Sequence, residues 1–445
     1  MEEDNTLPLP LTMVKSNRVE VVFDEPAVSS DGGVLLLRQL DEKLNVSAKV
    51  TAAISEYRQI ARCDHELLEM TRQRIYQICA GYPDANDCNH LRTDPVFKTV
   101  VGRHPEEGKD LASQPTMTRL ENSIRNRDLI RMAYAIMDLF IASYRTPPRS
   151  IIIDMDPTTD IVYGNQQLRL FNAFEDEYCF MPFHVYEGNS GKLITTVLRP
   201  GKTPTAREIL AVLKRIVAYL RKAWPKVKIT FRADRQHTRP EVMDWMEKPE
   251  NTVEYITGFT PNSRLDVIFE TAIHRAQRRF ERTGKPTREY CGHYYAANSW
   301  SHKRWLVCRV LVSEKGTDVR YIVTSLSGDS ESLYERKYCA RGKAELFIKD
   351  HKTHLESDRT SCSSKRANQF RLFLHSAAYI LLHSLRSSFP VAAEFAKAQF
   401  NTIQIKLLKI GARLEIFSRR LRFHLPKSCP SRHAFTMAIN ALSSG

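Results

Sequence analysis

The feature that most constrains the fold lies between residues 150 and 234, where apolar runs of strand type enclose one long amphipathic helix. SIIIDMD from residue 150, MPFHVYEG from 181 and KLITTVLRP from 192 have the length and composition of buried strands, and GNSG at 188–191 joins the last two. TAREILAVLKRIVAYLRKAWP from residue 205 has helical spacing and ends at Pro225, and VKITFRAD from residue 227 returns to strand type. This order predicts an α/β sheet whose functional site lies at the strand ends.

Acidic residues end the first and the fourth of these runs. Asp154 and Asp156 are two positions apart, so their side chains point to the same face of a strand, and Asp234 ends VKITFRAD. If the two strands are parallel neighbours, all these carboxylates reach one sheet edge, where they need a cation or solvent. A divalent metal site is therefore one interpretation. A strand that emerges into solvent, or a helix N-cap at Asp234, is the structural alternative, and these segments alone leave both open.

A further group of chemical interest lies in YCARGKAELFIKDHK, which starts at residue 338. On one α-helix at about 100° per residue, Tyr338, Arg341, Glu345 and Lys352 fall within roughly 60° of arc. A carboxylate beside an arginine and a lysine suits a metal site bordered by phosphate contacts. A solvated helix face with internal ion pairs has the same spacing, and the charge pattern does not separate the two.

The overall charge favours a polyanionic partner. Lys and Arg number 66 against 51 Asp and Glu, which gives a net charge of +15 and makes nucleic acid the first candidate. The first residues do not resemble a signal peptide and no run reaches 18 apolar residues, so we expect a soluble protein without a membrane segment. The 9 cysteines contain no CxxC pair, which argues against a zinc ribbon or a disulfide framework.

The flanking regions differ in periodicity. Helical spacing dominates before the turn at Pro147 and Pro148, whereas the stretch between Asp234 and Glu345 contains several β-prone runs and one helix from about residue 263. We therefore expect five parts: a mostly helical N-terminal domain, the first part of a core, a β-rich insertion, core helices that carry the glutamate and a basic C-terminal region. Their predicted bounds are 1–147, 148–250, 251–330, 331–390 and 391–445.

Taken together, these motifs resemble the DDE transposases of bacterial insertion sequences. The spacing Tyr338-x2-Arg341-x3-Glu345-x6-Lys352 looks like their Tyr-Arg-Glu-Lys signature. In particular, the chain is similar to the insertion-sequence 1380 family in DMDPT at 154–158, in HVYEGNSGKLITTVLRPG at 184–201 and in SDRTSCSSKRANQFRLFLHSAAYILLHSLR at 357–386. The likeness spans residues 18–386, including QPTMTRLEN at 114–122.

The resemblance implies a fold and a catalytic triad. The expected fold is an RNase H-like α/β core with a β-rich insertion, which agrees with the β-β-β-α-β order, together with an α-helical N-terminal DNA-binding domain. Asp156, Asp234 and Glu345 are the implied catalytic residues and ligands of two Mg²⁺ or Mn²⁺ ions. Asp156 is preferred to Asp154 because Pro157 and Thr158 follow it as in the Asp-x-Thr of related enzymes, and Asp154 remains the alternative metal ligand.

The implied function is cut-and-paste DNA transposition, by metal-dependent cleavage at transposon ends and strand transfer into target DNA. Its partners are double-stranded DNA, as terminal inverted repeats and as target, and a second copy of the chain in the synaptic complex. Tyr338, Arg341 and Lys352 would contact the DNA backbone, and the N-terminal helices, with Arg119, would recognise the ends. The expected location is the bacterial cytoplasm, at the nucleoid. Two alternatives are a DNA-binding transposase that has lost catalysis and a metal-dependent nuclease of the same fold that does not join DNA.

Overall fold

The site region is built on a mixed sheet of eight strands. The computed structural model describes residues 7–8, 19–22, 24–25 and 27–443. The other positions of the expected N-terminal domain, and the last two of the C-terminal region, lie outside the described residues. No helix in the described ranges is long and apolar enough to cross a membrane.

Short strands and a series of helices precede the core. In chain order they are β1 Leu7–Pro8, β2 Glu20–Val21, β3 Val28–Ser29, α1 Val34–Leu44, α2 Val46–Ala52, α3 Leu67–Cys79, α4 Asp87–Leu91, α5 Pro95–Val101, α6 Gln114–Ser123 and α7 Asn126–Ala142. This confirms that helices predominate before residue 147. Most buried apolar residues of α1 to α7 belong to one hydrophobic cluster, which also contains residues between 370 and 442.

The core alternates strands and helices as expected. Its elements are β4 Ser150–Pro157, β5 Asp160–Ile161, β6 Leu170–Asn172, β7 Glu177–Phe180, β8 Phe183–Glu187, β9 Leu193–Val197, α8 Ala206–Ala223, β10 Lys228–Ala233, α9 Pro240–Glu247, β11 Val253–Phe259, α10 Ser263–Thr283, β12 Thr287–Tyr295, β13 Arg304–Ser313 and β14 Gly316–Thr324. The strands β5, β7 and β6 form a separate three-stranded sheet, here called the small sheet.

The strand order of the large sheet is β12-β13-β14-β11-β10-β4-β8-β9. β4 pairs antiparallel with β8, β8 pairs antiparallel with β9, and β10 lies parallel to both β4 and β11. The five strands from β9 to β11 therefore have the order and directions of an RNase H-like sheet, and the expected α/β core is confirmed. Buried apolar side chains of β4, β8 and β10 pack on α8 and α9 within one cluster.

The β-rich insertion extends this sheet. β12, β13 and β14 form an antiparallel meander that joins the core through β14 and β11. Val253–Phe259 pairs in parallel with β10 and is thus a strand of the core, although the predicted bounds assign it to the insertion. We therefore propose that the insertion begins at α10.

Local sequence explains how α8 begins and ends. The Thr205 side chain accepts a hydrogen bond from the Glu208 amide at 3.3 Å, and the Glu208 carboxylate accepts one from the Thr205 amide at 2.9 Å, which makes a capping box. The helix ends at Ala223, two residues before Pro225, whose ring cannot continue it. This helix covers the sheet face opposite the candidate site.

Helices dominate again after β14. They comprise a π-helical segment Ser332–Tyr338, a 3₁₀ turn Cys339–Arg341, α11 Gly342–Lys349, a second π-helical segment Asp350–His354, α12 Lys365–Ser387, a 3₁₀ turn Glu394–Lys397, α13 Phe400–Ile403, a third π-helical segment Gln404–Leu408 and α14 Arg432–Ser443. The strands β15 Ala412–Phe417 and β16 Arg420–His424 precede α14. The expectation of one uniform α-helix from Tyr338 to Lys352 is wrong. Only the middle of the segment is α-helical, so the arc calculated at 100° per residue does not apply to the whole segment.

Candidate active site

The first two acids of the site share one face of β4, but their environments differ. Asp154 is 2% exposed, and both its carboxylate oxygens accept hydrogen bonds from the Arg232 guanidinium at 2.6 Å. The two residues are also Cα partners in the parallel register of β4 and β10. Asp154 is thus fully engaged in a buried, bidentate ion pair inside the sheet.

Asp156 and Asp234 lie two residues beyond Asp154 and Arg232, respectively, on the same face of the sheet. Burial raises the pKa of Asp156 to about 6, and the nearby Asp234 carboxylate acts in the same direction, while Arg341 opposes both. For Asp234, burial also raises the pKa, but hydrogen bonds and the charge of His237 outweigh it and hold the pKa below its ordinary value. Two neighbouring carboxylates with opposite pKa shifts therefore occupy one sheet edge, as the parallel strand order requires.

Asp234 is fixed by the turn that follows β10. Its carboxylate accepts a hydrogen bond from the Gln236 amide at 2.9 Å and lies 2.8 Å from His237 Nδ1. It caps the 3₁₀ turn that begins at Arg235. Asp234 is consequently both an N-cap and a member of the acidic pair, so the two interpretations of this residue are compatible.

Arg341 connects Glu345 to the acidic pair. Its Nη1 donates a hydrogen bond to Asp156 Oδ2 at 2.9 Å, and its Nη2 lies 3.8 Å from Glu345 Oε1. The Glu345 side chain is 69% exposed. The Arg341 guanidinium thus lies between Asp156 and Glu345, and its charge also acts on Asp234. The i,i+4 ion pair expected for a solvated helix face is present together with a long-range contact to the strand.

The other residues of the Tyr-Arg-Glu-Lys spacing also reach the core. Lys352 Nζ donates a hydrogen bond to the carbonyl of Thr159, three residues after Asp156, and lies 4.0 Å from the buried Asp160 carboxylate. Tyr338 lies against Gly258 of β11, where an added Cβ would come within 2.7 Å of the Tyr338 hydroxyl oxygen. Lys352 therefore lies beside the end of β4, and Tyr338 lies against β11, the strand next to β10.

Arg119 is found elsewhere. It is exposed on α6, and its guanidinium donates a hydrogen bond to Thr116 of the same helix at 3.1 Å. The structure thus brings Tyr338, Arg341 and Lys352 to the acidic face, while Arg119 stays on the N-terminal helices.

Within the described ranges, one group of three metal-ligand side chains has its ligand atoms within 4.8 Å of one another, and it is not the expected triad. It consists of Asp244, Glu247 and His302. Arg304 fills its centre, with Nη2 at 2.6 Å from both carboxylates and Nε at 2.8 Å from Glu247. A guanidinium thus supplies the positive charge of this group, and we assign it a structural role.

Sequence reasoning missed two residues that organise the site, Arg232 and His237. Arg232 stands two positions before Asp234, as Asp154 stands two positions before Asp156. Strand alternation therefore places Arg232 on the acidic face, and this signal was available in the sequence. The contact of Asp156 with Arg341, 185 positions later, has no such local signal.

Comparison with known proteins identifies the family. The family model described as transposase DDE domain group 1 matches residues 11–444. A solved structure described as a cryo-EM structure of piggyBac transposase synaptic complex with hairpin DNA is similar over 84% of this chain and 80% of that chain, at 13% identity and a TM-score of 0.41. Among curated proteins there is no match.

The chain belongs to the DDE transposase family, and it is a DNA transposase that cuts and joins DNA. Members of this family use divalent metal ions. The expected enzyme class and reaction are thereby confirmed.

Removing Asp154 should destabilise the fold. Asp154→Ala leaves the Arg232 guanidinium buried and unpaired, and we expect a loss of roughly 3–5 kcal/mol in the free energy of unfolding. Urea denaturation of the metal-free protein measures it, with Arg232→Met/Asp154→Leu as the matched double variant that removes both charges and restores most of the stability. Wild-type stability in Asp154→Ala would contradict the assigned role of the pair.

The two neighbouring acids should affect pH-dependent stability with opposite signs. The folded-state pKa of Asp156 is raised from 3.8 to about 6, so the contribution of this group to the free energy of unfolding falls by roughly 3 kcal/mol as pH rises from about 4 to about 6. Asp156→Asn does not ionise, so its stability relative to the wild type should increase over this range. The pKa of Asp234 is lowered, so its ionised form stabilises the fold above its unfolded pKa, and Asp234→Asn should lose stability at pH 7.5. Urea denaturation of the metal-free wild type and of both variants at pH 4 and 7.5 measures these changes. If both variants gain, or both lose, stability relative to the wild type between the two pH values, the assignment of opposite pKa shifts is wrong.

Proposed function

We propose that this DNA transposase is of the insertion-sequence 1380 type and that Asp156, Asp234 and Glu345 hold two Mg²⁺ or Mn²⁺ ions. The observation that carries the proposal is the parallel pairing of β4 and β10, which brings Asp156 and Asp234 to one sheet edge, where Arg341 connects Asp156 to Glu345. An all-carboxylate donor set suits hard divalent cations. Burial raises the pKa of Asp156 although Arg341 lies beside it, and a bound divalent cation would stabilise the ionised carboxylate.

We assign the first metal ligand to Asp156 and not to Asp154. Both oxygens of Asp154 already accept hydrogen bonds from Arg232, so a metal ion would have to displace a buried bidentate pair. Asp156 is 19% exposed, and among the described residues its carboxylate accepts one hydrogen bond, from Arg341. Its carboxylate is therefore the more accessible of the two.

Bound divalent ions would activate the attacking hydroxyl, of water in cleavage and of the DNA 3′ end in strand transfer, and would neutralise the scissile phosphate. The chain's own residues orient the reactants. His237 and the Gln236 amide fix the Asp234 carboxylate. In the DNA-free protein Arg341 balances the charge of Asp156 and Glu345, and when DNA binds its guanidinium turns to a phosphate oxygen. Lys352 adds a point charge beside the same strand.

We further propose that the N-terminal helices, with the exposed Arg119, bind the terminal inverted repeats, and that two copies of the chain act together at the two ends. The net charge of +15 supports double-stranded DNA, as transposon end and as target, as the partner. A chain that handles chromosomal DNA in this way would work in the bacterial cytoplasm at the nucleoid.

Alanine at each of the three acids should abolish cleavage. Asp156→Ala, Asp234→Ala and Glu345→Ala remove metal ligands and not phosphate contacts, so end binding should persist. The measurement combines cleavage and strand transfer in Mg²⁺ with binding to DNA that carries the repeats flanking the coding sequence. Cleavage without joining would favour a nuclease, and binding without cleavage by the wild type would favour a transposase that has lost catalysis.

Arg341 and Lys352 should differ in their effect on metal binding. If each neutralises one phosphate, Arg341→Ala and Lys352→Ala should both reduce the slope of log K against log salt by about 0.9 for end binding. Without DNA, only Arg341→Ala frees a triad carboxylate, so only this variant should bind Mn²⁺ more tightly in calorimetry. Unchanged salt slopes in both variants, or tighter Mn²⁺ binding in Lys352→Ala, would contradict these roles.

A further inference from the structure

The outer strands of the large sheet bring two cysteines together. Cys291 of β12 and Cys308 of β13 stand directly opposite each other in the antiparallel register of these strands, and both thiols are free. Opposite residues in such a pair have Cα atoms about 4.5 or 5.5 Å apart, and disulfides form between Cα atoms roughly 4.4–6.8 Å apart. The backbone therefore already holds the two cysteines at a separation that a disulfide bond can span.

Both side chains lie on the sheet face that α10 covers. Cys308 is fully buried in a hydrophobic cluster that includes Phe269 and Ala276 of α10, and Cys291 is partly buried against the same cluster. Opposite residues of an antiparallel pair point to the same face, so the two thiols meet beneath the helix. A disulfide at this position therefore needs no change in strand register.

The two thiols differ in a way that suits thiol–disulfide exchange. A hydrogen bond from the Cys308 thiol holds the pKa of Cys291 below its ordinary value, whereas this bond and burial raise the pKa of Cys308. Cys291 is also the more accessible of the two. An accessible thiol that ionises readily is the attacking group in such an exchange, and a second thiol in contact with it can complete the reaction.

A metal site is a poorer interpretation of this pair. Among the residues that the structure describes, one group of three side chains has ligand atoms close enough to hold an ion, and it contains neither cysteine. Glu289, two positions before Cys291, forms an ion pair with Arg275 of α10. Structural zinc sites need four ligands, of which this pair would supply two. The chemistry that remains for two facing thiols is oxidation to a disulfide.

We propose that Cys291 and Cys308 form a site of reversible oxidation, which takes a low-molecular-weight disulfide as its oxidant. The Cys291 thiolate attacks one sulfur of the oxidant, whose S–S bond breaks and releases the first small thiol. The Cys308 sulfur then attacks Cys291 Sγ, and its proton leaves with the second small thiol. Two protein thiols are thus oxidised to one disulfide, while the oxidant is reduced to two thiols. The proposal goes beyond DNA transposition and does not depend on the assignment of the metal ligands.

The disulfide fastens the outer edge of the large sheet. β12 is the last strand in the order of this sheet, and β13 is its one partner strand among the described residues. A covalent bond to β13 restricts the local opening of β12, so amide exchange in Thr287–Tyr295 should slow at least about 10-fold on oxidation. Exchange in α8 should not change. Mass spectrometry of the reduced and the oxidised full-length protein measures both, and equal exchange in β12 would contradict this consequence.

The test of the site itself treats the full-length wild type with oxidised glutathione and then blocks the remaining free thiols. Mass spectrometry of non-reduced peptides should find Cys291 linked to Cys308 without attached glutathione, and dithiothreitol should reverse the link. Cys308→Ala removes the second step, so glutathione should stay attached to Cys291 in this variant. The wild-type result does not depend on the folding of any variant.

Cys339 provides the matched control. It is exposed and lies beside Arg309 of β13, whose side chain points to the face opposite that of Cys308. Its glutathione adduct should therefore persist in the wild type. A persistent adduct on Cys291 of the wild type, as on Cys339, would overturn the proposal. So would an unmodified Cys291 under conditions that modify Cys339, or a link from Cys291 to a cysteine other than Cys308.

Discussion

The buried ion pair between Asp154 and Arg232 holds together the part of the sheet on which the site depends. It joins β4 to β10 at one parallel register position, and side-chain alternation then places Asp156 and Asp234 on the same face just beyond it. Arg232 also donates to the Lys337 carbonyl at 2.8 Å, in the segment that leads to Arg341. One guanidinium thus aligns two strands and the helical segment that completes the site.

The same pair explains a glycine in the turn between β8 and β9. A Cβ at Gly188 would lie 2.5 Å from Arg232 Nη2 and 2.6 Å from Asp154 Oδ2, and the Gly188 carbonyl accepts a hydrogen bond from Arg232 at 3.4 Å. The backbone must approach the ion pair closely to satisfy its remaining donor, and only glycine permits this approach. The motif GNSG at 188–191, which the sequence marks only as a turn, therefore also supports the acidic face.

Sequence patterns predicted the elements with local signals and missed those that depend on distant partners. The strands β4 and β10, their terminal acids and the helix α8 follow from apolar periodicity, strand alternation and a capping box, all readable within about twenty residues. The packing of the C-terminal region does not follow from such local signals. The amides of Gly32 and Gly33 donate to the carbonyls of Ile410 and Leu408, and a Cβ at Gly33 would lie 1.9 Å from the Leu407 carbonyl oxygen. Close backbone contacts between residues nearly 380 positions apart leave no periodic trace, so residues 391–445 looked like a separate basic region.

This long-range packing also bears on α11, which carries Glu345. Tyr186 of β8 packs against Phe347 of α11 and Tyr379 of α12, with ring centroids 5.6 and 5.3 Å apart. The Tyr379 hydroxyl in turn donates to the Gly191 carbonyl at 2.8 Å. Aromatic contacts therefore hold α11, the helix that carries Glu345, against β8 and α12. The Glu345 side chain itself is 69% exposed. A fixed backbone with an exposed carboxylate would allow Glu345 to leave Arg341 for the proposed cation without movement of the sheet, whereas Asp154, whose partner is buried with it, has no such freedom. The difference in burial between these two acids is the physical reason why we assign Asp154 to the fold and propose Glu345 as a metal ligand.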